Sequence, residues 1–288
     1  MDIYDIVQTL PANLEANALA RFDDLETQGR LYYGAPQHRV VKHDSFTAGN
    51  PQLDKDSPAR SQPGGPFANP DPAFVVAQNV GPSHYLTLNK YCVQRPMYLL
   101  PTINYKPQTE GLDATDLAAA WALIKAFDTP HMVFCNCGVE AGSSQGHKHL
   151  QVLPIQRPEG FKFFTDDAGI SYNAPMTLPN APHKHFIISL PHDPSLALLQ
   201  NKFTQLMEMT YSALEGLSTT LSYNLIIIRE WMMVAPRTHR DRDGIATNAL
   251  GTIGMMCVKD DEEMQGCIRL GMTEPLKYLG MPASSQPV

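Results

Sequence analysis

Long apolar runs, basic residues and matched cysteine pairs are all scarce in this sequence. No window approaches eighteen uninterrupted apolar residues, and the start MDIYDIVQTL lacks the basic and apolar segments of a signal peptide. Lys and Arg number 22 against 29 Asp and Glu, and the net charge of −7 argues against a surface for nucleic acid or anionic membrane. We therefore expect a soluble protein without nucleic-acid or membrane partners.

The cysteines indicate the redox compartment. Cys92, Cys135, Cys137, Cys257 and Cys267 are an odd number at unrelated spacings, which suits reduced thiols better than a disulfide framework. Cys135 and Cys137 would share one face of a strand, but two ligands without a partner pair are a weak indication of zinc. We predict a cytoplasmic location, with the nucleus as the alternative, and no protein-bound metal.

The chain has 288 residues, 43% of them hydrophobic, which is enough for a sizeable core. Helical spacing of apolar residues predicts helices over 13–29 and 113–127, and a Pro- and Gly-rich stretch predicts a long loop over 47–72. Alternating or apolar runs predict strands in HYLTLNKY, PMYLLPT, HMVFCNCG, HKHLQVLPI, HFIISL, YNLIIIRE and WMMVAPR. We predict an α+β fold in two lobes, an N-terminal domain over 1–170 and a C-terminal domain over 171–288.

A loop of small residues leads into a strand that carries histidine and glutamine. His147, His149 and Gln151 occur at every second position, so a strand places them on one face. The preceding loop, GSSQG over 142–146, offers unhindered backbone N–H groups to phosphate oxygens. A neutral imidazole is a sensible nucleophile near pH 7 when an acceptor fixes its other nitrogen. Taken alone, the same pattern also fits a solvated sheet face.

The segment N-x-G-(x)4-S-S-Q-x-H-K-H-L-Q resembles the active-site strand of the transferase branch of the histidine-triad superfamily. Galactose-1-phosphate uridylyltransferases and diadenosine tetraphosphate phosphorylases share its H-x-H-x-Q core. The resemblance implies that His149 is the nucleophile and that Gln151 hydrogen-bonds the nucleotidyl phosphate. It also implies that the backbone near His147 holds the far nitrogen of the nucleophile. Glutamine in place of a third histidine favours transfer over hydrolysis.

Two further segments resemble the phosphorylases more specifically, and the resemblance spans roughly residues 75–260. LTLNKYCV is similar to a segment that lies against the nucleotide, and NALGTIGMMCVK is similar to a pattern that contributes to the substrate pocket. Carried over by position, the resemblance implies substrate contacts from Asn89, Lys90, Asn136, Gly142, Ser143, Ser144, Gln145, Asn248, Ala249, Leu250, Met255 and Lys259.

Some parts of the chain depart from the family pattern. The region before residue 75 matches poorly, so Lys42 and Lys55 are candidates for a substrate lysine that the resemblance does not place. Met97 stands where the family form has histidine. A second H-K-H, over 183–185, lacks the loop and the glutamine, so we predict a surface or substrate-rim role. The run RTHRDR over 237–242 fits either a solvated loop or a clamp on polyphosphate.

The resemblance implies phosphorolysis of diadenosine tetraphosphate (Ap4A) to ATP and ADP through an adenylyl-histidine, in a histidine-triad-like fold of antiparallel sheets with packed helices. The small-molecule partners would be dinucleotide, inorganic phosphate, ATP and ADP. No cofactor is required, although a divalent cation, Mg²⁺ or Mn²⁺, can accompany the polyphosphate. A single chain with two lobes could work as a monomer. The alternatives are a sugar-nucleotide phosphorylase or uridylyltransferase, and a nucleotide-binding sensor without turnover.

Overall fold

The structure is a computed structural model that describes residues 2–33, 40–42, 57, 62–156, 162–217, 221–258, 261–271 and 273–283. Most of the loop predicted over 47–72 therefore lies outside the described residues, and so do Lys55 and Lys259. Lys42 is described through its backbone only.

Helices and strands occur largely in separate runs along the described chain, as is typical of an α+β fold. The helices are α1 (Ile3–Thr9), α2 (Leu14–Thr27), α3 (Ala114–Ala126), α4 (Leu196–Leu214), α5 (Ala249–Thr252), α6 (Asp261–Leu270) and α7 (Glu274–Leu279). The strands are β1 (Tyr32–Tyr33), β2 (Val40–Lys42), β3 (Val75–Val80), β4 (His84–Leu88), β5 (Tyr91–Cys92), β6 (Tyr98–Pro101), β7 (His131–Cys137), β8 (His149–Pro154), β9 (Phe186–Ser189), β10 (Tyr223–Ile227), β11 (Trp231–Pro236), β12 (Asp241–Arg242), β13 (Ile245–Ala246) and β14 (Met256–Val258).

Eight strands form one antiparallel sheet in the order β3-β4-β6-β8-β7-β10-β11-β9. The predicted helices over 13–29 and 113–127 are confirmed as α2 and α3, and the seven predicted strands are present. Strands from both sides of residue 170 belong to this one sheet, because β7 pairs with β10 from Cys137↔Tyr223 to Val133↔Ile227. The sheet therefore passes without interruption from one half of the chain to the other.

The α3 helix shows how local sequence fixes an element. Asp113 accepts from the backbone N–H of Thr115 and Asp116, and Asp116 accepts from the backbone of Asp113, so a capping box starts the helix. Its alanine-rich turns are buried against the sheet. No helix among the described residues is long and apolar enough to cross a bilayer.

A buried ionic cluster attaches the α3 helix to the segment before β8. The Nζ of Lys148 lies 3.2 Å from Asp116 Oδ2 and donates to the Gly111 carbonyl at 2.9 Å. His84 Nε2 lies 3.0 Å from Asp116 Oδ1. Burial by itself raises the pKa of Asp116, but the His84 hydrogen bond and the Lys148 charge outweigh it, and the net shift is downward. Lys148, which lies between His147 and His149, is thus fixed on the face of the sheet that packs against α3.

Candidate active site

His149 is the first residue of β8, and its imidazole is held by one backbone contact. Nδ1 lies 2.9 Å from the carbonyl oxygen of His147. Because a carbonyl only accepts, Nδ1 carries the proton and Nε2 carries the lone pair. Burial lowers the pKa of His149 to about 4, so the ring is neutral at pH 7. Among the described residues Nε2 has no hydrogen-bond partner, so its lone pair is available on a ring of fixed tautomer.

The His147 side chain is anchored on the neighbouring strand end. Its Nε2 lies 2.8 Å from the carbonyl oxygen of Thr102 and 3.0 Å from the Thr102 hydroxyl. Burial lowers the pKa of His147, so this ring is also biased to the neutral form. His147 therefore acts on His149 through its backbone, and its ring fixes where that carbonyl points.

Gln151 follows on β8, two residues after His149 and on the same face of the sheet. It pairs with Leu99 on β6 and Phe134 on β7. Its side chain is partly exposed. The geometry thus places an amide beside the imidazole, as the sequence pattern predicts, and its role toward phosphate stays a prediction.

Gln108 was missed by sequence reasoning, although it makes three hydrogen bonds around the nucleophile. Its Oε1 accepts from the His149 backbone N–H at 2.7 Å. Its Nε2 donates to the Asn136 carbonyl at 2.9 Å and to the His149 carbonyl at 3.2 Å. The carboxamide thus bridges the backbones of β7 and the start of β8, with hydrogen bonds like those that a neighbouring strand would make. It lies 41 residues from His149 in a loop, and no periodic pattern marks it.

The loop over 142–145 packs against the residues before α5. Gly142 has φ +83°, and a Cβ there would lie 2.8 Å from the Thr247 carbonyl and 3.3 Å from the Asn248 Cβ. Glycine is required on both grounds. Ser143 and Gln145 are buried, whereas Ser144 is partly exposed. The fold thus brings residues predicted from both halves of the chain, Gly142 and Asn248, into one place.

Asn136 connects that loop to the C-terminal half. Its Oδ1 accepts from the Asn224 side chain and from the Ala249 backbone N–H, each at 2.9 Å. The side chains of Ala249 and Leu250 are fully buried in the core. Their backbone N–H groups already donate to Asn136 Oδ1 and Asn248 Oδ1, so neither residue offers a free N–H donor to a substrate. Met255 is partly exposed and packs against the same core.

Asn89 and Lys90 lie away from the nucleophile. The Asn89 N–H donates to the Met97 carbonyl. Met97 comes four residues before Pro101, which pairs with His149. Standard strand spacings put Asn89 roughly 13 Å along the sheet and about 10 Å across it from His149. Lys90 is exposed. A role for this pair is possible only at a distant part of a long substrate.

For the second H-K-H we predicted a surface or substrate-rim role, and the surface position is wrong for both of its histidines. His183 and His185 are 2% and 0% exposed. His185 repeats the backbone device of His149, because its Nδ1 lies 3.0 Å from the His183 carbonyl. Its Nε2, however, accepts from the Leu178 backbone N–H at 3.0 Å. The lone pair that is free in His149 is therefore occupied in His185.

Arg237, the first residue of the run over 237–242, is neither a solvated residue nor a free phosphate clamp. The guanidinium is buried and donates to the carbonyls of Leu279, Thr247 and His239 and to the side chain of Asn224. Burial lowers the pKa of Arg237 to about 9. Its role is to tie β11 to the C-terminal segment, because its donors already point at protein acceptors.

Two family definitions match this chain. The Ap4A phosphorylase N-terminal domain matches residues 38–163, and the ATP adenylyltransferase C-terminal domain matches residues 179–282. The first range contains the histidine strand, the loop before it and Gln108. The second contains α5, β10, β11 and the buried second histidine pair.

Two relatives from Saccharomyces cerevisiae (strain ATCC 204508 / S288c) are similar over most of their length. Diadenosine 5′,5‴-P1,P4-tetraphosphate phosphorylase 2 is 31% identical over 75% of this chain and 74% of its own. Protein APA1 is 32% identical over 68% of this chain and 69% of its own.

Solved structures agree in fold. The crystal structure of yeast Ap4A phosphorylase Apa2 superposes with a TM-score of 0.78 at 24% identity, over 97% of this chain and 98% of that one. The crystal structure of Apa2 in complex with Ap4A gives a TM-score of 0.76 at 26% identity, over 96% and 100% of the two chains. The chain therefore belongs to the Ap4A phosphorylase and ATP adenylyltransferase family, a family of nucleotidyltransferases.

Proposed function

We propose that this protein cleaves Ap4A with inorganic phosphate to give ATP and ADP, through an adenylyl group carried on Nε2 of His149. The observation that carries the proposal is the neutral His149 imidazole, with Nδ1 held by the His147 carbonyl and the Nε2 lone pair unpartnered among the described residues. Diadenosine 5′,5‴-P1,P4-tetraphosphate phosphorylase 2 and yeast Apa2 act on Ap4A, according to their names.

The first half-reaction forms a P–N bond. Nε2 of His149 attacks the α-phosphorus of one adenosine, the bond from that phosphorus to the bridging oxygen breaks, and ATP leaves. As Nε2 becomes bonded, positive charge develops on the ring, and the hydrogen bond from Nδ1–H to the His147 carbonyl strengthens. The polyphosphate would lie against the loop over 143–145, whose backbone N–H groups suit phosphate oxygens.

The second half-reaction returns the nucleophile. A phosphate oxygen attacks the adenylyl phosphorus, the P–N bond breaks with its electrons returning to Nε2, and ADP leaves. The Gln151 amide can donate a hydrogen bond to the phosphoryl oxygens, yet it is too weak a base to activate water. Each step exchanges one phosphorus bond for another. No protein-bound metal is needed, and Mg²⁺ or Mn²⁺ would enter with the polyphosphate.

We also propose that one chain is sufficient, because His147, His149 and Gln151 belong to a single segment of a sheet that is continuous within the chain. Small-angle scattering of the active protein tests the monomer. The predicted cytoplasmic location is tested by imaging a tagged chain.

The decisive experiment quantifies ATP, ADP and AMP from Ap4A with and without phosphate. We expect phosphate-dependent formation of ATP and ADP in equal amounts. Without phosphate, a burst of about one ATP per chain should accompany labelling of the protein by the adenylyl group. His149→Ala should abolish both, whereas His185→Ala should retain them. AMP without phosphate in the wild type would indicate a hydrolase, and the absence of any turnover would reject the proposal.

A further inference from the structure

An aromatic side chain from outside the histidine strand lies against both of its imidazoles. The ring centroid of Phe67 lies 5.0 Å from that of His149, tilted by 47°, and 5.8 Å from that of His147 in an edge arrangement. Phe67 is only 6% exposed and His149 only 4%. Phe67 belongs to the stretch over 47–72, where the family resemblance assigns no residue.

Phe67 is held at this place by the sheet. The Tyr85 hydroxyl donates to the Phe67 carbonyl at 3.0 Å, and Tyr85 is itself buried on β4. Burial raises the pKa of Tyr85, so the phenol keeps its proton and remains a donor. Through the register Thr87↔Leu99↔Gln151, Tyr85 stands on the sheet face that carries Gln151 and His149. The contact therefore directs the Phe67 backbone toward that face.

The chemistry of the proposed function makes such a contact significant. An adenylyl-histidine is an activated phosphoramidate that both phosphate and water can attack. Water is far more concentrated than phosphate, so transfer to phosphate requires that water be kept from the phosphorus. Gln151 is too weak a base to activate water, but its amide does not exclude water by contact with an apolar group. An apolar ring beside the imidazole excludes water physically, and the lowered pKa of His149 is consistent with a dry environment.

We infer that Phe67 is a specificity-determining residue, which shields the His149 imidazole and the adenylyl group on it from water, so that phosphate rather than water accepts the nucleotide. The inference rests on the proposed phosphorolysis. In the shielded enzyme a phosphate oxygen displaces Nε2 and gives ADP. Without the ring, a water oxygen forms the new P–O bond, the P–N electrons return to Nε2, and AMP is released with one proton.

The chain offers a matched control for this contact. The Phe164 ring lies 5.2 Å from that of His185 and 6.2 Å from that of His183, both in edge arrangements. The same type of side chain thus contacts the second histidine pair, in which the Nε2 of His185 is already occupied. Phe164→Ala removes an equivalent ring without touching the proposed nucleophile.

The experiment measures the ratio of AMP to ADP formed from Ap4A at a fixed phosphate concentration. This ratio depends on the fate of the intermediate and not on the fraction of active enzyme. We expect Phe67→Ala to raise the ratio about tenfold and Phe67→Leu, which keeps most of the apolar area, to raise it about threefold. Phe164→Ala should leave it at the wild-type value. Phe67→Leu carries the test if Phe67→Ala does not fold.

The outcomes distinguish a failure of the proposed phosphorolysis from a failure of the role of Phe67. Wild-type protein that forms no phosphate-dependent ADP contradicts the proposed function. Wild-type phosphorolysis together with an unchanged ratio in every folded Phe67 variant overturns only the role of Phe67. An equal rise in Phe164→Ala also overturns it, because the effect would then not depend on the nucleophile.

Discussion

The Nε2 of His185 accepts a hydrogen bond from the backbone N–H of Leu178 at 3.0 Å. His185 is otherwise placed like His149, with Nδ1 bonded to the carbonyl two residues earlier. One backbone N–H therefore distinguishes His185 from His149, the proposed nucleophile. Removal of His149 should mainly lower turnover, whereas removal of His185 should mainly lower the free energy of unfolding.

We predict that His149→Ala lowers turnover by at least about 10⁴-fold and costs less unfolding free energy than His185→Ala, because both changes empty a buried site but the His149 ring makes only one hydrogen bond. His185→Ala should keep turnover within a few-fold and cost about 2 to 4 kcal/mol of unfolding free energy, since it leaves a cavity and an unpaired Leu178 N–H. Urea unfolding and product assays on both variants check this. Strong loss of turnover in folded His185→Ala would contradict it.

Gln108 should act as a positioning residue. We expect Gln108→Leu to lower kcat by about 10- to 100-fold with a smaller change in KM, because His149 at the start of β8 loses two side-chain hydrogen bonds and β7 loses one. Gln108→Glu keeps the acceptor for the His149 N–H but adds a charge, so it should raise the pKa of His149. The measurement is the pH dependence of kcat/KM. An acid limb that does not move in Gln108→Glu would argue for a purely structural role.

The acid side of the activity profile follows from the buried nucleophile. The pKa of His149 is lowered to about 4 by burial, and protonation removes the attacking lone pair. We therefore expect kcat/KM for Ap4A to lose activity through His149 only as the pH falls toward about 4. Activity that falls with an apparent pKa near 6.5, in protein shown to be folded, would contradict the buried position of the ring.

The free energy of unfolding should depend on pH over a wider range than the activity does. The unfolded histidines bind protons below about pH 6.5, whereas the folded pKa values of His149 and His183 are about 4 and about 3. Between these values the unfolded state binds more protons, so stability rises with pH, is fully present above about 6.5 and is lost toward 4. Urea midpoints measured from pH 7 to pH 4 should fall, and less steeply in His183→Asn. A flat profile would contradict this prediction.

The buried cluster beneath the histidine strand gives a stability test. Asp116→Asn should cost about 3 to 5 kcal/mol, because the buried Lys148 ammonium loses its fully buried carboxylate. Asp113→Asn is the control, since it removes an exposed carboxylate from the same capping box and Asn is also a good cap. Chemical denaturation of both variants provides the comparison. Equal effects would show that Lys148 does not depend on Asp116.

The sequence predicted elements and single-strand patterns well, because period and composition are local. The α3 helix and the alternation that places His149 and Gln151 on one face both come from such local rules. The burial of His185 was not predicted, since it depends on Leu178 and on packing that forms only in the folded chain. Gln108 and Phe67 escaped for the same reason. Each lies in a loop, and neither the hydrophobic period nor the residue spacing of a loop indicates which distant strand it will contact.

The pairing of β7 with β10 has a consequence for biosynthesis. The two strands pair from Val133↔Ile227 to Cys137↔Tyr223, so roughly ninety residues must be synthesised after β7 before its partner exists. At about 5 to 20 residues per second, the nascent chain would carry an unpaired strand edge for roughly 5 to 20 s. All seven residues of β7 are buried in the finished sheet. During translation this edge is a natural substrate for chaperones and a point at which aggregation competes with folding.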